Sequence, residues 1–482
     1  MQLKDLIKNI SYNGNADKRE IISIAYDSRK VKVGTLFVAI AGFNVDGHDY
    51  ISQAINNGAS AILSNGRSPK GLSVPVIQVK NPRLALSEIS AQFYGNPSQK
   101  MNIVGVTGTN GKTSITHILS HIMNSANKTC GTMGTLGFKT PSGITSTGFT
   151  TPESVEVQQM LQTLNTAGIN NLVMEVSSHA LNLHRVNNVD INIAIFSNLT
   201  REHLDFHGNM ENYFQSKLKL FKQLNKSNIA IININDPYSE RISCKTLAKV
   251  VKYGFDKNAD LFPLEYTKTI DGLEAIIKYG DKKINVRSNL IGDYNLLNIM
   301  AAITAGLKLN IPVKIIEKAI ITIPQIPGRL EQISCNSLAR IYIDYAHTPD
   351  AFKQLFSTIN GIINSQTKII TIFGCGGNRD KKKRSEMAKI SELHSSYTYI
   401  TSDNPRTEPI EKINNDIVQG FAKTNYRIIN DRKQAIELAI QNADKNTIIL
   451  ILGKGREKYQ EINNIKHPHS DVDIIENYNY AI

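Results

Sequence analysis

The stretch "GVTGTNGKTS", residues 105–114, constrains this chain most strongly, because it joins a Gly-rich turn to a Gly-Lys-Thr triplet. A standard phosphate-binding loop reads Gly, four arbitrary residues, and then Gly-Lys-Ser/Thr. Val106 stands where the first Gly of that pattern belongs, and Gly105 and Gly108 lie on either side of it. The stretch is therefore either a variant phosphate loop or a Gly-containing turn with an incidental Lys.

The flanking residues favour the phosphate loop. "MNIVGVT" predicts a buried strand before the turn, and Gly108 and Gly111 permit positive φ within it. Lys112 would reach the terminal phosphates and Thr113 would offer its hydroxyl to Mg²⁺, while backbone N–H groups at a helix N-terminus cradle phosphate oxygens. The following helix is predicted from apolar residues at helical spacing, namely Ile115, Ile118, Leu119, Ile122 and Met123.

Composition limits the class of protein. The 482 residues suffice for two to four domains, and the net charge is +13. The basic residues are scattered, and the densest run, at 380–384, is short and contains an acid, so we do not expect nucleic acid as a partner. The four cysteines lack metal-ligand or redox spacing, and no apolar run approaches the ~20 residues that span a bilayer. We expect a soluble, cytoplasmic protein without membrane insertion.

Breaks in the pattern divide the chain into three regions. Short apolar runs alternate with polar turns up to the Gly/Asn/Pro/Ser-rich break "YGNPSQK", residues 94–100. Apolar strands then alternate with helical patterns until "IPQIPGRLE", residues 323–331, after which the alternation restarts. This order predicts an α/β fold of three domains, with a mostly parallel sheet in the central phosphate-loop domain and a Rossmann-like C-terminal domain. The predicted domains are 1–97, 98–330 and 331–482.

Charged residues in the central region leave several interpretations open. Glu175 ends a predicted buried strand, where a carboxylate is costly unless it is paired or bound to a metal. A salt-bridged structural acid and a metal ligand are both compatible with this position. His203 and His207 are four residues apart and could share a helical face, which suggests zinc. No third ligand is evident, so we reject zinc.

Four polar clusters each follow an apolar strand directly in the C-terminal third. In a parallel sheet they would gather at the carboxyl edge, where α/β folds bind ligands. Arg379 and Arg406 could clamp carboxylates and Glu457 could receive an ammonium, which favours a zwitterionic ligand. The clusters are Asp344-Tyr345-Ala346-His347, Gly374-Cys375-Gly376-Gly377-Asn378-Arg379, Asp403-Asn404-Pro405-Arg406 and Gly453-Lys454-Gly455-Arg456-Glu457.

Together, four blocks resemble the Mur ligases, which are ATP-dependent amide-forming synthetases of bacterial cell-wall precursor assembly, and their relative folylpolyglutamate synthetase. The blocks are "TGTNGKTS", "MEVSSHALNLHRV" (174–186), "FSNLTREHLDFHGNMENYFQSKLKLF" (196–221) and "PGRLE" (327–331). The resemblance covers nearly the whole chain. It implies that ATP phosphorylates a substrate carboxylate, with Mg²⁺ as cofactor, and that an amine then displaces phosphate from the acyl phosphate.

The resemblance also selects one lysine. Lys217, Lys219 and Lys222 in "YFQSKLKLF" look like a solvated helix face, and their chemistry alone distinguishes none of them. Lys217 matches the lysine that CO₂ carbamylates in these ligases, which turns an ammonium into an anionic oxygen ligand for a second Mg²⁺. The implied metal ligands are Thr113, Glu175, His203 and carbamylated Lys217, and the implied catalytic residues are Lys112, Lys217, Asn198 and His203.

Further positions match substrate contacts of the family. The ATP positions are Gly108, Thr109, Asn110, Gly111, Lys112, Thr113, Ser114, Asn298, Arg329 and Asp344. The positions for UDP-MurNAc-L-Ala-D-Glu are Tyr26, Ser28, Phe43, Asn44, Val45, Thr150, Thr151, Ser177, Leu183 and Arg185. "DNPR" resembles the signature of members that add meso-diaminopimelate, and the matching positions are Arg379, Asp403, Asn404, Pro405, Arg406, Gly453 and Glu457.

Some residues depart from the family pattern, and other functions stay open. Leu183 stands where some members have Gln, Lys382 replaces a frequent Gly, and Arg456 replaces a frequent His. Lysine-adding members lack the Arg of "DNPR", since lysine has no second carboxylate. A lysine-adding ligase and a folate-type ligase are the alternatives within the class. A phosphate-loop switch protein is the alternative outside it, and it gives no role to the four clusters. We expect a monomer.

Overall fold

A computed structural model describes residues 1–42, 45–69 and 71–478, so the predicted contact residues Phe43 and Asn44 lie outside the described residues. The chain forms two compact units. The first comprises Met1–Leu199, Asn209–Ala259 and Ala301–Pro312, and the second comprises Thr200–Gly208, Asp260–Met300 and Val313–Ile482. Within the described ranges, no helix combines the length and the apolar character that crossing a bilayer requires.

The N-terminal region of the first unit contains a four-stranded parallel sheet in the order β1-β2-β3-β4. Its apolar core lies on both faces, because Leu36 and Val38 of β2 belong to one buried cluster and Phe37 belongs to another. The Asn81 side chain caps α3 by accepting backbone N–H groups, and Pro82 starts the helix. The elements are α1 (Leu3–Leu6), β1 (Ser23–Ala25), β2 (Thr35–Val38), α2 (Ile51–Asn56), β3 (Ala59–Ser64), β4 (Val76–Gln78) and α3 (Pro82–Phe93).

The larger sheet of the first unit runs β12-β11-β10-β5-β9-β6-β7-β8, parallel from β12 to β6 and antiparallel at β7 and β8. The strands are β5 (Asn102–Thr107), β6 (Cys130–Gly134), β7 (Gly137–Thr140), β8 (Gly143–Thr145), β9 (Asn171–Glu175), β10 (Ile193–Phe196), β11 (Ile229–Asn233) and β12 (Lys249–Tyr253). The helices are α4 (Lys112–Ser125), α5 (Ser154–Thr166), α6 (Ser178–Asn182), α8 (Met210–Lys222) and α9 (Ser239–Ser243), while α7 (Leu204–His207) lies in the second unit.

The predicted strand–turn–helix around the phosphate loop is confirmed. β5 is buried along all but its first residue, and α4 buries each of the five apolar positions that predicted it. Strands of this sheet are continuously apolar, as in "IAIF" of β10, because helices cover a parallel sheet on both faces.

The second unit begins with an antiparallel meander that the alternation of parallel elements did not predict. Its strands β13 (Leu261–Thr269), β14 (Gly272–Tyr279) and β15 (Lys282–Ser288) run in the order β15-β14-β13. Asp271-Gly272 marks the first turn, and in β15 the buried Ile284 and Val286 alternate with exposed residues, as expected for a sheet with one solvated face. Two helices follow, α10 (Asp293–Lys308), whose residues 301–308 belong to the first unit, and α11 (Val313–Ile321).

The C-terminal sheet runs β16-β17-β21-β18-β19-β20, with β16 antiparallel and the other pairs parallel. Its strands are β16 (Glu331–Ile333), β17 (Arg340–Asp344), β18 (Lys368–Phe373), β19 (Tyr397–Ile400), β20 (Tyr426–Ile428) and β21 (Thr447–Leu452), followed by a hairpin of β22 (Tyr459–Ile462) and β23 (Ile465–Pro468). The helices are α12 (Pro349–Asn360), α13 (Lys382–His394), α14 (Ile410–Val418), α15 (Arg432–Gln441) and α16 (Asp471–Glu476). The mostly parallel α/β class is confirmed, and the domain boundaries at 97 and 330 stay predictions.

A buried ion pair joins the two last helices to the end of β21. Arg432 Nε donates to Asp471 Oδ1 at 2.8 Å, and Arg432 NH2 donates to Asp471 Oδ2 at 2.7 Å and to the Leu452 carbonyl at 3.1 Å. Both side chains are at most 1% exposed. Burial alone would raise the pKa of Asp471, but the Arg432 guanidinium and His469 bring it well below its usual range.

We expect Asp471→Asn to lower the free energy of unfolding by about 3–5 kcal/mol at pH 7, because it leaves the Arg432 charge buried without its counter-charge. Urea unfolding of the full chain measures this loss. Because the pKa of Asp471 is depressed in the folded state, the difference should be complete above the unfolded pKa of about 3.9 and shrink as the pH falls below it.

The matched control is Glu437→Gln, which removes an exposed pair with Lys433 on α15. Such a pair contributes only about 0.2–0.5 kcal/mol. A loss in Asp471→Asn no larger than the loss in this control would contradict the role of the buried pair.

Candidate functional site

The turn between β5 and α4 has a backbone that requires glycine at two positions. Gly108 has φ +154° and Gly111 has φ +87°, both outside the range that most L residues adopt. A Cβ atom on Gly108 would lie 1.8 Å from Ser197 Oγ at the end of β10. The loop therefore approaches the neighbouring strand too closely for any side chain at position 108.

Asn198 holds this loop in shape from the end of β10. Its Oδ1 accepts the Asn110 N–H at 2.9 Å, and its Nδ2 donates to the Asn110 carbonyl at 3.2 Å. The Thr109 N–H donates to the Asn198 carbonyl at 2.8 Å. The structure thus brings the predicted residue Asn198 to the loop, where it fixes backbone groups.

Lys112 and Thr113 lie in the first turn of α4. Lys112 Nζ donates to the carbonyls of Gly108 at 2.9 Å and Thr109 at 2.7 Å, so the ammonium lies over the loop. Thr113 and Ser114 are buried, at 3% and 4% exposure. The positive end of α4 and the Lys112 charge therefore occur at the same loop, an arrangement that suits an anion.

Helix α8 contributes two side chains to the same loop. Lys217 is 1% exposed, and its Nζ donates to the Gly108 carbonyl at 2.7 Å and lies 4.6 Å from the centroid of the Tyr213 ring. The Tyr213 hydroxyl lies 3.2 Å from Thr109 Oγ1. The expectation that the three lysines are exposed to solvent is therefore wrong for Lys217, because Lys217 lies on the apolar face of α8 with Tyr213. Sequence reasoning missed Tyr213, although its spacing of four residues from Lys217 is a usable signal.

Glu175 lies at the end of β9, next to β5 in the sheet. It is 1% exposed, and its two carboxylate oxygens accept the Thr135 N–H at 2.9 Å and the Thr135 hydroxyl at 3.1 Å. A Cβ on Gly134 would lie 2.2 Å from Glu175 Oε1, so any side chain at position 134 would clash with the carboxylate. No basic side chain of residues 1–42, 45–69 or 71–478 forms an ion pair with Glu175, which disfavours the salt-bridge interpretation.

His203 and His207 bound the short helix α7 in the second unit. His203 precedes the helix with φ +55°, its side chain is 43% exposed, and its Nε2 lies 3.7 Å from Glu202 Oε2. His207 is the last helical residue and is buried. In the part of the chain that the structure describes, no group of three or more His, Cys, Asp and Glu side chains is arranged to hold a metal ion.

Two of the predicted N-terminal contact positions, Tyr26 and Ser28, bind other side chains of the first unit. The Tyr26 hydroxyl donates to Glu156 Oε1 at 2.9 Å, and burial, followed by the Glu156 charge, raises the pKa of Tyr26. Ser28 is buried and its Oγ donates to Gln53 Oε1 at 2.9 Å. Val45 is 55% exposed. Of these three positions, only Val45 presents an open surface.

The contact positions predicted for the peptide part gather around Glu175. Thr151 Oγ1 donates to the Glu175 carbonyl at 2.8 Å and accepts the Ser177 N–H at 3.1 Å. Arg185 donates through Nε to Glu153 Oε1 at 2.9 Å and through NH1 to the Thr151 carbonyl at 2.9 Å. Thr151, Ser177 and Arg185 therefore lie together near the carboxyl end of β9.

Two further positions flank this group. Thr150 Oγ1 lies 3.1 Å from the hydroxyl of Thr135, the residue that binds the Glu175 carboxylate. Leu183 is half-buried at the end of α6, and its N–H donates to the His179 carbonyl at 2.8 Å. Thr150 thus joins the group through Thr135, and Leu183 closes the adjacent helix.

The four C-terminal polar clusters meet at one sheet edge, as predicted. They follow β17, β21, β18 and β19, which are neighbouring parallel strands. The Gly453 N–H donates to the Asp344 carbonyl at 3.0 Å, and Arg406 NH1 donates to the Gly377 carbonyl at 2.9 Å. Each contact joins one cluster to the next.

Asn404 lies at the centre of these contacts and is 5% exposed. Its Oδ1 accepts Lys454 Nζ at 3.1 Å, and its Nδ2 donates to Glu457 Oε2 at 2.9 Å. Lys454 is fully buried and also binds Glu457 Oε2, at 2.8 Å. Lys454 belongs to the fourth predicted cluster, but sequence reasoning gave it no role of its own; its position between two glycines in "GKG" is the available signal.

Arg406 and Arg379 differ in how firmly they are held. Arg406 has φ +55° and a side chain 23% exposed, and its Nε lies 3.2 Å from Glu461 Oε2. Arg379 is exposed, and within the described ranges it makes no hydrogen bond or ion pair. The Asp403 carboxylate accepts the Asn404 N–H at 2.7 Å. Arg406 is therefore preorganised, whereas Arg379 projects into solvent.

A buried arginine connects the segment that follows "DNPR" to the cluster after β18. Arg384 on α13 is fully buried, and its NH1 and NH2 donate to Glu408 Oε1 and Oε2 at 2.9 and 2.8 Å. This pairing holds the pKa of Glu408 at about 2. Glu408 Oε2 also accepts the Asn378 N–H at 3.0 Å. Arg384 belongs to the basic run at 380–384, so the charge pattern alone gave no reason to expect burial.

The remaining positions predicted to contact the nucleotide lie in the second unit. Asp344 Oδ2 accepts the Leu330 N–H at 2.6 Å, and burial raises the pKa of Asp344 against the opposing charge of Arg329. The Arg329 guanidinium lies 5.2 Å from the centroid of the Tyr345 ring. Asn298 is buried in α10. Arg329 and Asp344 therefore occur together, while Asn298 bonds within its own helix.

Arg456, which departs from the family pattern, has a specific partner. Its Nε donates to Glu331 Oε1 and Oε2 at 3.0 and 2.9 Å, and Glu331 is 3% exposed. The Gly328 N–H donates to the same carboxylate at 2.7 Å. Arg456 therefore fixes the segment "PGRLE" to the loop after β21.

Comparison with protein families and known proteins gives matches over most of the chain. Residues 20–94 match the model "Mur ligase family, catalytic domain", residues 106–306 match "Mur ligase middle domain", and residues 328–455 match "Mur ligase, glutamate ligase domain". The UDP-N-acetylmuramoyl-L-alanyl-D-glutamate–2,6-diaminopimelate ligase of Syntrophomonas wolfei subsp. wolfei is 39% identical over 95% of both chains. The ligase of the same name from Fusobacterium nucleatum subsp. nucleatum is 40% identical over 98% of this chain and 95% of its own.

A solved structure of a UDP-N-acetylmuramoyl-L-alanyl-D-glutamate–2,6-diaminopimelate ligase is similar over 98% of both chains, with a TM-score of 0.70 and 28% identity. The chain belongs to the Mur ligase family.

Proposed function

We propose that this protein is an ATP-dependent ligase that adds meso-diaminopimelate to UDP-MurNAc-L-Ala-D-Glu during peptidoglycan precursor synthesis. The observation that carries the proposal is the convergence of Arg406, Asn404 and Glu457 at one sheet edge, in a chain similar to diaminopimelate-adding ligases. We propose further that it acts as a monomer in the cytoplasm.

The phosphate loop is the proposed ATP site. Its backbone N–H groups, the start of α4 and the Lys112 ammonium all offer positive charge to the phosphates. Arg329, Asp344 and Asn298 complete the ATP contacts by resemblance. Lys112 would neutralise charge on the transferring phosphoryl group, while Asn198 keeps the loop in its binding shape.

Mg²⁺ is the proposed cofactor. The donor set fits it, because the buried Glu175 carboxylate and the Thr113 hydroxyl are hard oxygen ligands and Mg²⁺ commonly combines one or two protein ligands with phosphate oxygens. His203 and carbamylated Lys217 are added by resemblance alone. When held by these residues, Mg²⁺ would supply positive charge that offsets the negative charge of the phosphates.

The proposed reaction has two steps. A carboxylate oxygen of the D-Glu residue attacks the γ-phosphorus of ATP, the bond to the β-phosphate oxygen breaks, and an acyl phosphate and ADP form. The amine nitrogen of diaminopimelate then attacks the acyl carbon. The tetrahedral intermediate expels inorganic phosphate, the nitrogen loses a proton, and an amide remains. The protein contributes mainly by positioning the reactants and screening charge.

The amine substrate is proposed to lie against the four C-terminal clusters. Arg406, with Arg379, would bind one carboxylate, and Glu457 would accept an ammonium. Asp403, Pro405 and Gly453 are proposed as further contacts at the same sheet edge. Lysine lacks the second carboxylate, so its binding would leave Arg406 without a substrate partner, and a site built for a polar group discriminates strongly against an analogue that lacks it.

The nucleotide sugar is proposed to bind the N-terminal contact positions and the group around Glu175. The uridine part would contact Tyr26, Ser28, Phe43, Asn44 and Val45. The muramoyl dipeptide would contact Thr150, Thr151, Ser177, Leu183 and Arg185. Arg185 already donates to Glu153 and Thr151, so it offers a rigid guanidinium rather than a mobile one.

The amine requirement is tested by ADP release from the full chain with ATP, Mg²⁺ and UDP-MurNAc-L-Ala-D-Glu. We expect turnover with meso-diaminopimelate and much slower turnover with L-lysine or without an amine. Turnover with lysine but not with diaminopimelate would overturn the proposal that meso-diaminopimelate is the amine substrate. Hydrolysis that needs neither amine nor nucleotide sugar would favour a nucleotide switch instead.

We expect Arg406→Ala to lower kcat/KM for diaminopimelate at least tens-fold, because removing one side of a buried charge pair costs roughly 2–5 kcal/mol. KM for the nucleotide sugar should stay unchanged. Steady-state kinetics with each substrate varied in turn measures both effects. Arg427→Ala, at an exposed position on β20, is the matched control. Unchanged diaminopimelate kinetics in Arg406→Ala would refute the clamp.

We expect Lys217→Ala to reduce turnover roughly 100-fold, since it removes a buried charged group from the phosphate loop. Added short carboxylic acids should restore part of the rate if Lys217 works as a carbamate. Lys222→Ala, on the exposed face of the same helix, is the control. Full activity in Lys217→Ala would contradict a role of Lys217 in the site. A loss of activity that added acids do not restore would contradict its carbamylation.

A further inference from the structure

The hairpin of β22 and β23 is attached to the loop that carries Arg406. The Glu461 N–H donates to Asn404 Oδ1 at 2.9 Å, and the Arg406 N–H donates to the Glu461 carbonyl at 2.9 Å. The Asn463 N–H donates to the Arg406 carbonyl at 2.7 Å. Both backbone polar groups of Arg406 are thus bound by the hairpin, which supports its uncommon left-handed conformation at φ +55°.

The hairpin also binds the side chain of Arg406. Glu461 Oε2 lies 3.2 Å from Arg406 Nε, and the two side chains are only 24% and 23% exposed. Among the residues that the structure describes, the other contact of the guanidinium is the hydrogen bond from NH1 to the Gly377 carbonyl at 2.9 Å. A guanidinium carries five N–H donors, so these two contacts orient the group and leave donors for a ligand carboxylate.

The turn of the hairpin fixes the register that places Glu461. Asn463 and Asn464 have φ +49° and +62°, the paired positive values of a tight two-residue hairpin turn. In this register Lys466 lies opposite Glu461, and its ammonium lies 4.3 Å from the centroid of the Tyr459 ring. Glu461 is therefore held on a short strand rather than on a loose loop.

We propose that Glu461 is a positioning residue that determines the affinity for the amine substrate by orienting Arg406. The inference rests on the proposed function, because it requires Arg406 to bind a carboxylate of that substrate. Glu461 restricts the rotamers of a long side chain before the ligand arrives, so less conformational entropy is lost on binding. Its negative charge near the ligand carboxylate acts in the opposite direction, and the proposal requires orientation to outweigh that repulsion.

The test is steady-state kinetics of Glu461→Gln, which keeps the side-chain shape and removes the charge. We expect KM for meso-diaminopimelate to rise about ten-fold, with kcat and the KM values for ATP and nucleotide sugar unchanged, since only the orientation of Arg406 is lost. Glu461→Asp should recover part of the affinity. Glu437→Gln on α15 is the matched control, because its pair with Lys433 is exposed.

A double variant separates positioning from direct contact. In an Arg406→Ala background, Glu461→Gln should change KM for diaminopimelate less than two-fold, because the residue through which it acts is gone. A full, additive ten-fold effect in that background would overturn the proposal by indicating that Glu461 acts on the substrate without Arg406. A lower KM in Glu461→Gln alone would overturn it by showing that charge repulsion dominates.

The outcomes also separate this inference from the proposed function. If the wild-type protein does not use diaminopimelate, the proposed function is wrong, and so is the proposed role of Glu461. If the wild type uses diaminopimelate and Glu461→Gln has an unchanged KM, only the inference about Glu461 fails. A parallel rise in the KM values of all three substrates would also overturn it, since that result indicates a general structural role.

Discussion

The parallel alignment of β17, β21, β18 and β19 is the constraint on which the candidate amine site depends. β21 is buried along its whole length, as expected for a strand inside a parallel sheet that helices cover on both faces. Because β17, β21, β18 and β19 are neighbours and run parallel, their carboxyl ends lie at one edge of the sheet. The Asn404 side chain then joins its own loop to the loop after β21 and to strand β22. In the first unit the same constraint places the ends of β5, β9 and β10 side by side, where Gly108, Glu175 and Asn198 lie.

Buried polar groups make both regions rigid before any ligand binds. Each of the buried charged side chains has partners that offset the loss of water, and removing one partner would leave the other uncompensated. These paired side chains lie on strand ends and helices, which fix the positions of side chains more precisely than long loops do. The side chains concerned are Lys217, Glu175, Arg384, Arg432 and Lys454.

The sequence predicted those features that depend on local pattern. The strand–turn–helix around Lys112 and the gathering of four polar clusters follow from apolar periodicity and strand direction, and both are found. The burial of Lys217 and Arg384 and the pairing of Arg406 with Glu461 depend on contacts between distant segments, which periodicity does not encode. The β13–β15 meander was missed because its alternation was read as part of a parallel region, although its turns carry Asp-Gly and Gly-Asp pairs.

The most direct measurement is the electron density of meso-diaminopimelate bound to the protein together with UDP-MurNAc-L-Ala-D-Glu and a non-hydrolysable ATP analogue. The carboxyl-edge site predicts one ligand carboxylate about 2.7–2.9 Å from the Arg406 guanidinium, with Arg406 still paired to Glu461, and a ligand ammonium at Glu457. Density for the ligand away from the ends of β17, β21, β18 and β19, with Arg406 bound only to Glu461 and Gly377, would contradict it.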